Sequence, residues 1–268
     1  MIHNAVCGID AGRPPREGID PPPRLRLIAF DFSSLSQELG APSLDQFDIH
    51  VWHGDPQRCA IPPQQLIPLL SEDELDRMAR FHFEPDRQDF CFARGMLRIL
   101  LGRYLDTAPQ DLRFSYSEHG KPSLVVPDLE AGLQFNLSHT NGRVLVAICR
   151  GYQIGIDIEK LRKDINIDEV AARFFSASER EALMNLPHAL RWQAFFHCWT
   201  RKEALLKARG DGLFFPLGLF DVSIAAGERE VTLVTRPDAA EAQRWRILRV
   251  SVPAEYTAAV AVACPASR

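Results

Sequence analysis

Between Gln153 and Glu159, three isoleucines (154, 156 and 158) alternate with Gly155, Asp157 and Glu159. Strand side chains change face with a period of two, so this run packs as a strand with one isoleucine face and one acidic face. Gly155 leaves the acidic face without bulk beside Asp157. The two carboxylates lie about 7 Å apart at their backbones, judged from the rise of a strand. They repel unless a cation lies between them. Oxygen-only donors favour a hard ion, magnesium or manganese, over zinc. Taken alone, the pattern is better accounted for by a half-buried strand with a solvated acidic face.

Around this strand the periodicities are mixed. Strand-like alternation recurs at 47–52, 134–138, 143–149, 220–224, 231–235, 245–252 and 256–263. Helical periods fall between, at 71–81, 87–105, 167–175, 178–186 and 190–209. Ser71 with Glu72, Asp73 and Glu74 reads as an N-cap followed by acids in the first turn. Interleaved blocks of this kind predict α+β or α/β layers. We expect a Pro-rich arm over 1–45, an N-terminal half over 46–150 and a C-terminal half over 151–268 that carries the acidic motifs. The arm is set apart by Pro14-Pro15 and Pro21-Pro22-Pro23, which cannot form regular ladders, with a short amphipathic piece over 25–39 docking on the body.

The 31 basic and 35 acidic residues give a net charge of −4, so no bulk field draws the chain to nucleic acid or an anionic membrane. No apolar run is long enough to span a bilayer, and the start lacks a signal-peptide pattern. The six cysteines are widely spaced; Cys91, Cys149 and Cys198 read as small core hydrophobes, which fits a reducing, cytoplasmic setting.

Three further segments carry chemistry. Residues 191–209 read as a helix anchored by Trp192, Phe195, Phe196, Trp199, Leu205 and Leu206. Glu203 and Lys207, four apart, share a face, where an ordinary ion pair contributes about 0.2–0.5 kcal/mol. Lys202 points about 100° away from Glu203. Phe135-Asn136-Leu137-Ser138-His139 runs into a glycine turn; neighbours at a strand end point oppositely, so Ser138 and His139 do not form a nucleophilic dyad. Donation of hydrogen bonds to phosphate suits both better, and suits Lys121 in Gly120-Lys121-Pro122. No Walker A loop or Gly-x-Gly-x-x-Gly fingerprint is present.

In this order, the Gly-Lys-Pro turn, the Ser-His segment, Gly155-Ile156-Asp157-Ile158-Glu159-Lys160 and Trp199 through Lys207 resemble the surfactin-synthetase-type (Sfp-type) 4′-phosphopantetheinyl transferases. Phe174-Phe175-Ser176 followed by Glu179 matches the segment between the last two. The resemblance spans roughly residues 46–225. It implies the 4′-phosphopantetheinyl transferase fold, a pseudo-two-fold pair of similar α+β halves with coenzyme A in the cleft between them. By position, Asp157, Glu159 and Glu203 would bind magnesium, with manganese as a substitute. Lys121, Ser138 and His139 would contact coenzyme A phosphates. Arg77 and Arg80 would lie near the adenosine 3′-phosphate, with Glu74 where some relatives have lysine, and Arg94 would be a further phosphate contact.

The activity implied is transfer of the phosphopantetheine arm to a serine of an apo acyl or peptidyl carrier protein of fatty-acid, polyketide or nonribosomal-peptide synthesis. Adenosine 3′,5′-bisphosphate would be released. Glu203 would be the general base and Lys207 would neutralise the leaving phosphate, with Lys202 an outer phosphate contact or surface charge. Two halves in one chain imply a monomer. A magnesium-dependent nucleotide pyrophosphohydrolase would use the same acids with water as nucleophile, and a non-catalytic carrier-docking module would not need all three.

Overall fold

Two 22-residue helices organise the chain, each laid on its own sheet. The computed structural model describes residues 25–34, 41–125, 132–210, 212, 216–225, 228–236 and 238–264. The N-terminal half runs β1 (Arg26–Asp31), β2 (Asp48–Gly54), α1 (Pro63–Leu66), α2 (Glu72–Ala79), α3 (Glu84–Leu105), β3 (Phe114–Tyr116), β4 (Pro122–Leu124), β5 (Leu133–Thr140) and β6 (Arg143–Arg150). The C-terminal half runs β7 (Ile154–Lys160), α4 (Ile167–Phe174), α5 (Ala177–Met184), α6 (His188–Arg209), β8 (Phe220–Val222), β9 (Leu233–Thr235), β10 (Trp245–Val250) and β11 (Tyr256–Ala263). The sheets are β1-β2-β6-β5 and β10-β11-β7, with β3-β4 and β8-β9 as two small hairpins.

Local chemistry sets the helix ends. Ser71 and Ser176 each form a reciprocal capping box with the glutamate three residues on, Glu74 and Glu179. Pro85 opens α3, and Gly210, left-handed at φ 83°, closes α6. One core forms where α3 meets its sheet, around Phe92, Met96, Leu97 and Val146, and another under α6, around Phe195, Leu205, Phe220 and Ile247. A third lies between the two sheets, where Ile154, Ile156 and Ile158 meet Val51, Leu145 and Ala147. Each of the larger of these side chains, fully buried, contributes about 1.5–3 kcal/mol. Cys91, Cys149 and Cys198 are buried free thiols, as expected of core hydrophobes.

The expected arm needs correcting at its inner end. Residues 26–31 form β1, paired in parallel with β2. The proline run ends at Pro23; beyond it, Leu25-Arg26-Leu27-Ile28-Ala29-Phe30 is largely apolar. Phe30 stacks on Trp52 with ring centroids 4.6 Å apart, and Arg26 donates to both Asp48 oxygens. Residues 1–24, and part of the proposed docking piece, lie outside the described residues. Among those described, no helix is long and apolar enough to cross a membrane.

Candidate active site

The halves meet where β7 runs beside β5, but no backbone ladder joins these two strands. Side chains of β5 take its place. Asn136 Oδ1 accepts the Ile156 N–H at 2.9 Å, and Ser138 Oγ accepts the Ile158 N–H at 3.3 Å. Both partners advance by two residues, so the strands run the same way. The stitching satisfies buried amides that would otherwise cost about 1–3 kcal/mol each. It also fixes which face of β7 looks at α6.

That face carries Gly155, Asp157 and Glu159. A Cβ on Gly155 would fall 2.2 Å from both Ala204 O and Ala208 N, so glycine is required for the α6 backbone to lie this close. The acids therefore turn toward α6 instead of bulk water. Asp157 is only 4% exposed, which excludes the solvated acidic face that the strand pattern alone allowed. Its Oδ1 accepts from Lys207 Nζ at 2.7 Å and from Ser138 Oγ at 3.0 Å. Lys207 also donates to Ser138 Oγ at 2.9 Å. Lys207 thus pairs across to β7, not with Glu203 one turn earlier on its own helix.

One lysine does not balance three carboxylates. Asp157 Oδ2 and Glu203 Oε1 are buried without a hydrogen-bond partner. Burial first, and then the Asp157 charge, push the Glu203 carboxyl up to about 7. The same two causes, in the same order, raise Glu159 to about 7, partly opposed by the Lys207 charge, then the Arg162 charge and a Trp199 hydrogen bond. Among the described residues no three or more acids, histidines or cysteines are gathered closely enough to hold a metal ion by themselves. The donors nevertheless suit a hard divalent cation: they are all oxygen, in charge excess, with two buried oxygens unfilled. A ligand's own oxygens would complete the shell.

Glu203 and Lys207 open onto a cleft of about 660 Å³ between the halves, of the size that takes a cofactor-like molecule. Arg77, Phe90, His139 and the β3–β4 hairpin form its other walls. The Arg77 guanidinium sits 5.9 Å from the centroid of the Phe90 ring. Burial lowers the His139 imidazole from its ordinary value. No hydrogen bond joins His139 to Ser138 among the described residues, as the strand geometry predicted.

Several expected phosphate contacts lie elsewhere. Lys202 is fully buried, and its Nζ donates to Leu217 O and Phe220 O at 2.8 Å and pairs with Glu179 at 2.9 Å. The 100° rotation from Glu203 turns it into the core, so it is neither an outer phosphate contact nor a surface charge. Arg80, just past the end of α2, does not line the cleft. Arg94 borders it, but its guanidinium is held by buried Glu74 and by Tyr116. Glu74 also pairs with Arg98, which gives an acid at that position a structural task. Lys121 borders the cleft as well, with its ammonium turned onto two backbone carbonyls. Sequence reasoning missed Tyr116, Glu118 and His119, which line the cleft from the hairpin; the Gly120 turn, at φ 78°, was the visible signal.

Comparison with known proteins covers nearly the whole described body. Residues 153–261 match the 4′-phosphopantetheinyl transferase superfamily, and residues 56–150 match the N-terminal region of a 4′-phosphopantetheinyl transferase. The 4′-phosphopantetheinyl transferase HetI of Nostoc sp. is 39% identical over 81% of this chain and 88% of its own length. A putative 4′-phosphopantetheinyl transferase of Synechocystis sp. is 33% identical over 74% of this chain and 77% of its own. The 4′-phosphopantetheinyl transferase Sfp of Bacillus subtilis is 33% identical over 60% of this chain and 69% of its own.

Proposed function

Because the chain belongs to the 4′-phosphopantetheinyl transferase superfamily, we propose that its cleft takes coenzyme A as donor, with a magnesium ion at the acidic cluster. It is an enzyme of the Sfp type, transferring the phosphopantetheine arm to carrier proteins. The acceptor is a serine of an apo acyl or peptidyl carrier protein serving fatty-acid, polyketide or nonribosomal-peptide synthesis. One observation carries the assignment of the site: three carboxylates face one lysine, with buried Asp157 and Glu203 oxygens unpartnered beside a cleft of cofactor size.

Asp157, Glu159 and Glu203 would hold the ion, with manganese as a substitute. When bound, it supplies Lewis-acid stabilisation of negative charge on the pyrophosphate oxygens. In the reaction the serine oxygen bonds to the β-phosphorus, and the phosphorus–oxygen bond of the pyrophosphate bridge breaks. The arm moves to serine and adenosine 3′,5′-bisphosphate leaves. Glu203, with a carboxyl near 7, is suited to accept the serine proton at Oε1. Lys207 Nζ lies 2.7 Å from Asp157 and on the cleft wall, placed to neutralise the departing phosphate. Arg77 and His139 line the same cleft as candidates for the remaining phosphate charge. Such transfer needs mainly positioning and electrostatics, which this set supplies. Two halves enclosing one cleft support a monomer, and the buried free thiols of Cys91, Cys149 and Cys198 support a reducing, cytoplasmic setting.

The test is to incubate the protein with coenzyme A, magnesium and several apo carrier proteins and to read the carrier masses. A phosphopantetheine arm on at least one carrier is expected. Coenzyme A cleaved at equal rate without any carrier would instead establish a pyrophosphohydrolase, and binding with no covalent product would leave only a docking module.

A further inference from the structure

The ammonium of Lys121 is occupied, and by unusual partners. Its Nζ donates to Ala208 O at 2.8 Å and to Ile154 O at 3.1 Å, two carbonyls on different elements. Ala208 lies in the last turn of α6, where helix carbonyls lack intrahelical partners and the helix end carries partial negative charge. Gly210 N–H satisfies Leu206 O, leaving Ala208 O to be met from outside the helix. Ile154 opens β7 on the edge facing β5, the edge that side chains and not a backbone ladder satisfy. A single cation thus ties the end of α6 to the start of β7. It does so beside Gly155, where the two backbones are already in contact.

These are the elements that carry the acidic cluster. Asp157 stands three residues beyond Ile154, and Lys207 directly precedes Ala208. Lys121 itself comes from neither, but from the β3–β4 hairpin that walls the cleft. An ammonium has three donors, and two are spent on the clamp. The stem runs past Gly210, where a Cβ would stand in ordinary van der Waals contact with Lys121 Cδ at 3.6 Å.

Building on the proposed metal-dependent transfer, we propose that Lys121 is a positioning residue that clamps α6 to β7 and so sets the spacing between Asp157 and the Glu203–Lys207 face. Its main effect falls on divalent-cation affinity, not on coenzyme A phosphate binding. Groups that orient metal ligands typically change metal affinity about 10–100-fold when removed.

The test uses the full chain with Lys121→Met, which keeps the stem and loses the charge, and Lys121→Arg, which keeps charge and donors. Binding of Mn²⁺ is followed by electron paramagnetic resonance in the presence of coenzyme A. The KM for coenzyme A is measured separately at saturating magnesium. The expected result is Mn²⁺ affinity about 10–100-fold weaker in Lys121→Met, largely recovered in Lys121→Arg, with KM for coenzyme A little changed. Unaltered Mn²⁺ affinity in Lys121→Met, or a raised KM for coenzyme A with unaltered Mn²⁺ affinity, overturns the clamp and makes Lys121 a phosphate contact or a bystander. Should Lys121→Met not fold, Lys121→Gln, a shorter uncharged donor, is read against the same criteria. A wild-type protein that binds no Mn²⁺ overturns the metal site and this role together, whereas binding in the wild type confines any failure to Lys121.

Discussion

Helix α6 carries two charge clusters on adjacent residues, and they behave oppositely. At Lys202 the charges close on themselves: its ammonium meets Glu179, Leu217 O and Phe220 O, while the Glu179 oxygens also accept the Ser176 and Val222 amides. Every atom has a partner, and the result is a staple joining α5, α6 and β8. At Glu203 the charges stay open. Three acids share one lysine, two buried oxygens have no partner, and two carboxyls are pushed up to about 7. Burial is similar in kind, so burial alone does not mark a site. What marks it is charge that the chain leaves uncompensated.

The sharpest way to break this contrast is to neutralise the open cluster. Glu203→Gln keeps size and removes the base; arm transfer in a carrier mass assay is expected to fall about 10²–10⁴-fold, with little loss of fold. Equal rates would remove Glu203 from the chemistry. The closed cluster should respond in the opposite currency. Lys202→Met leaves the Glu179 carboxylate buried without its ion, which typically costs about 3–5 kcal/mol of stability. Denaturant unfolding should register that loss, while the folded fraction keeps near-normal transfer. A stable Lys202→Met protein with a raised KM for coenzyme A would place Lys202 back at the phosphates.

Acidity offers a third, smaller contrast. Glu159 and Glu203 titrate near 7 in the fold against an ordinary value of 4.5. Between those values the folded chain holds protons that the unfolded chain has released. The stability these carboxyls contribute is therefore present at low pH and is lost as pH rises through about 7. In chelator, the denaturation midpoint of wild type should fall from pH 5.5 to pH 7.5 by more than that of Glu203→Gln. Magnesium should reverse the trend, since uptake by the ionised acids releases protons. A wild-type slope no steeper than the variant's would contradict the raised pKa of these carboxyls. The smallest difference separates two neighbouring arginines. Arg77→Ala, on the cleft wall, should raise the KM for coenzyme A several-fold, a loss of about 1 kcal/mol as for a partly exposed charged contact, whereas Arg80→Ala should change it little.

The open cluster was largely legible in the sequence because it obeys two periods. The strand period put Asp157 and Glu159 on one face, and the helix period put Glu203 and Lys207 together. The partner of Lys207 was not legible, since Asp157 lies 50 residues away and only the β7–α6 packing brings them together. Lys202 was misplaced for a related reason: a lysine beside a predicted site invites a surface role, and its true partner Glu179 sits on another helix. Ser176 and Glu179 stood out only as a match to the segment between the two motifs, not as a capping box whose carboxylate also anchors α6. The two strands of the β3–β4 hairpin are three residues each, too short for alternation to declare itself, and with them went Tyr116 and the clamp geometry of Lys121. Strand β1 was masked by the prolines just ahead of it.

The most direct measurement of the central claim is equilibrium Mn²⁺ binding in the presence of coenzyme A, wild type against Glu203→Gln. An open cluster that awaits a cation predicts one bound ion in the wild type and affinity at least about tenfold weaker in the variant. Equal affinity in the two proteins would contradict it, because the uncompensated charge at Glu203 would then have nothing to do with a metal.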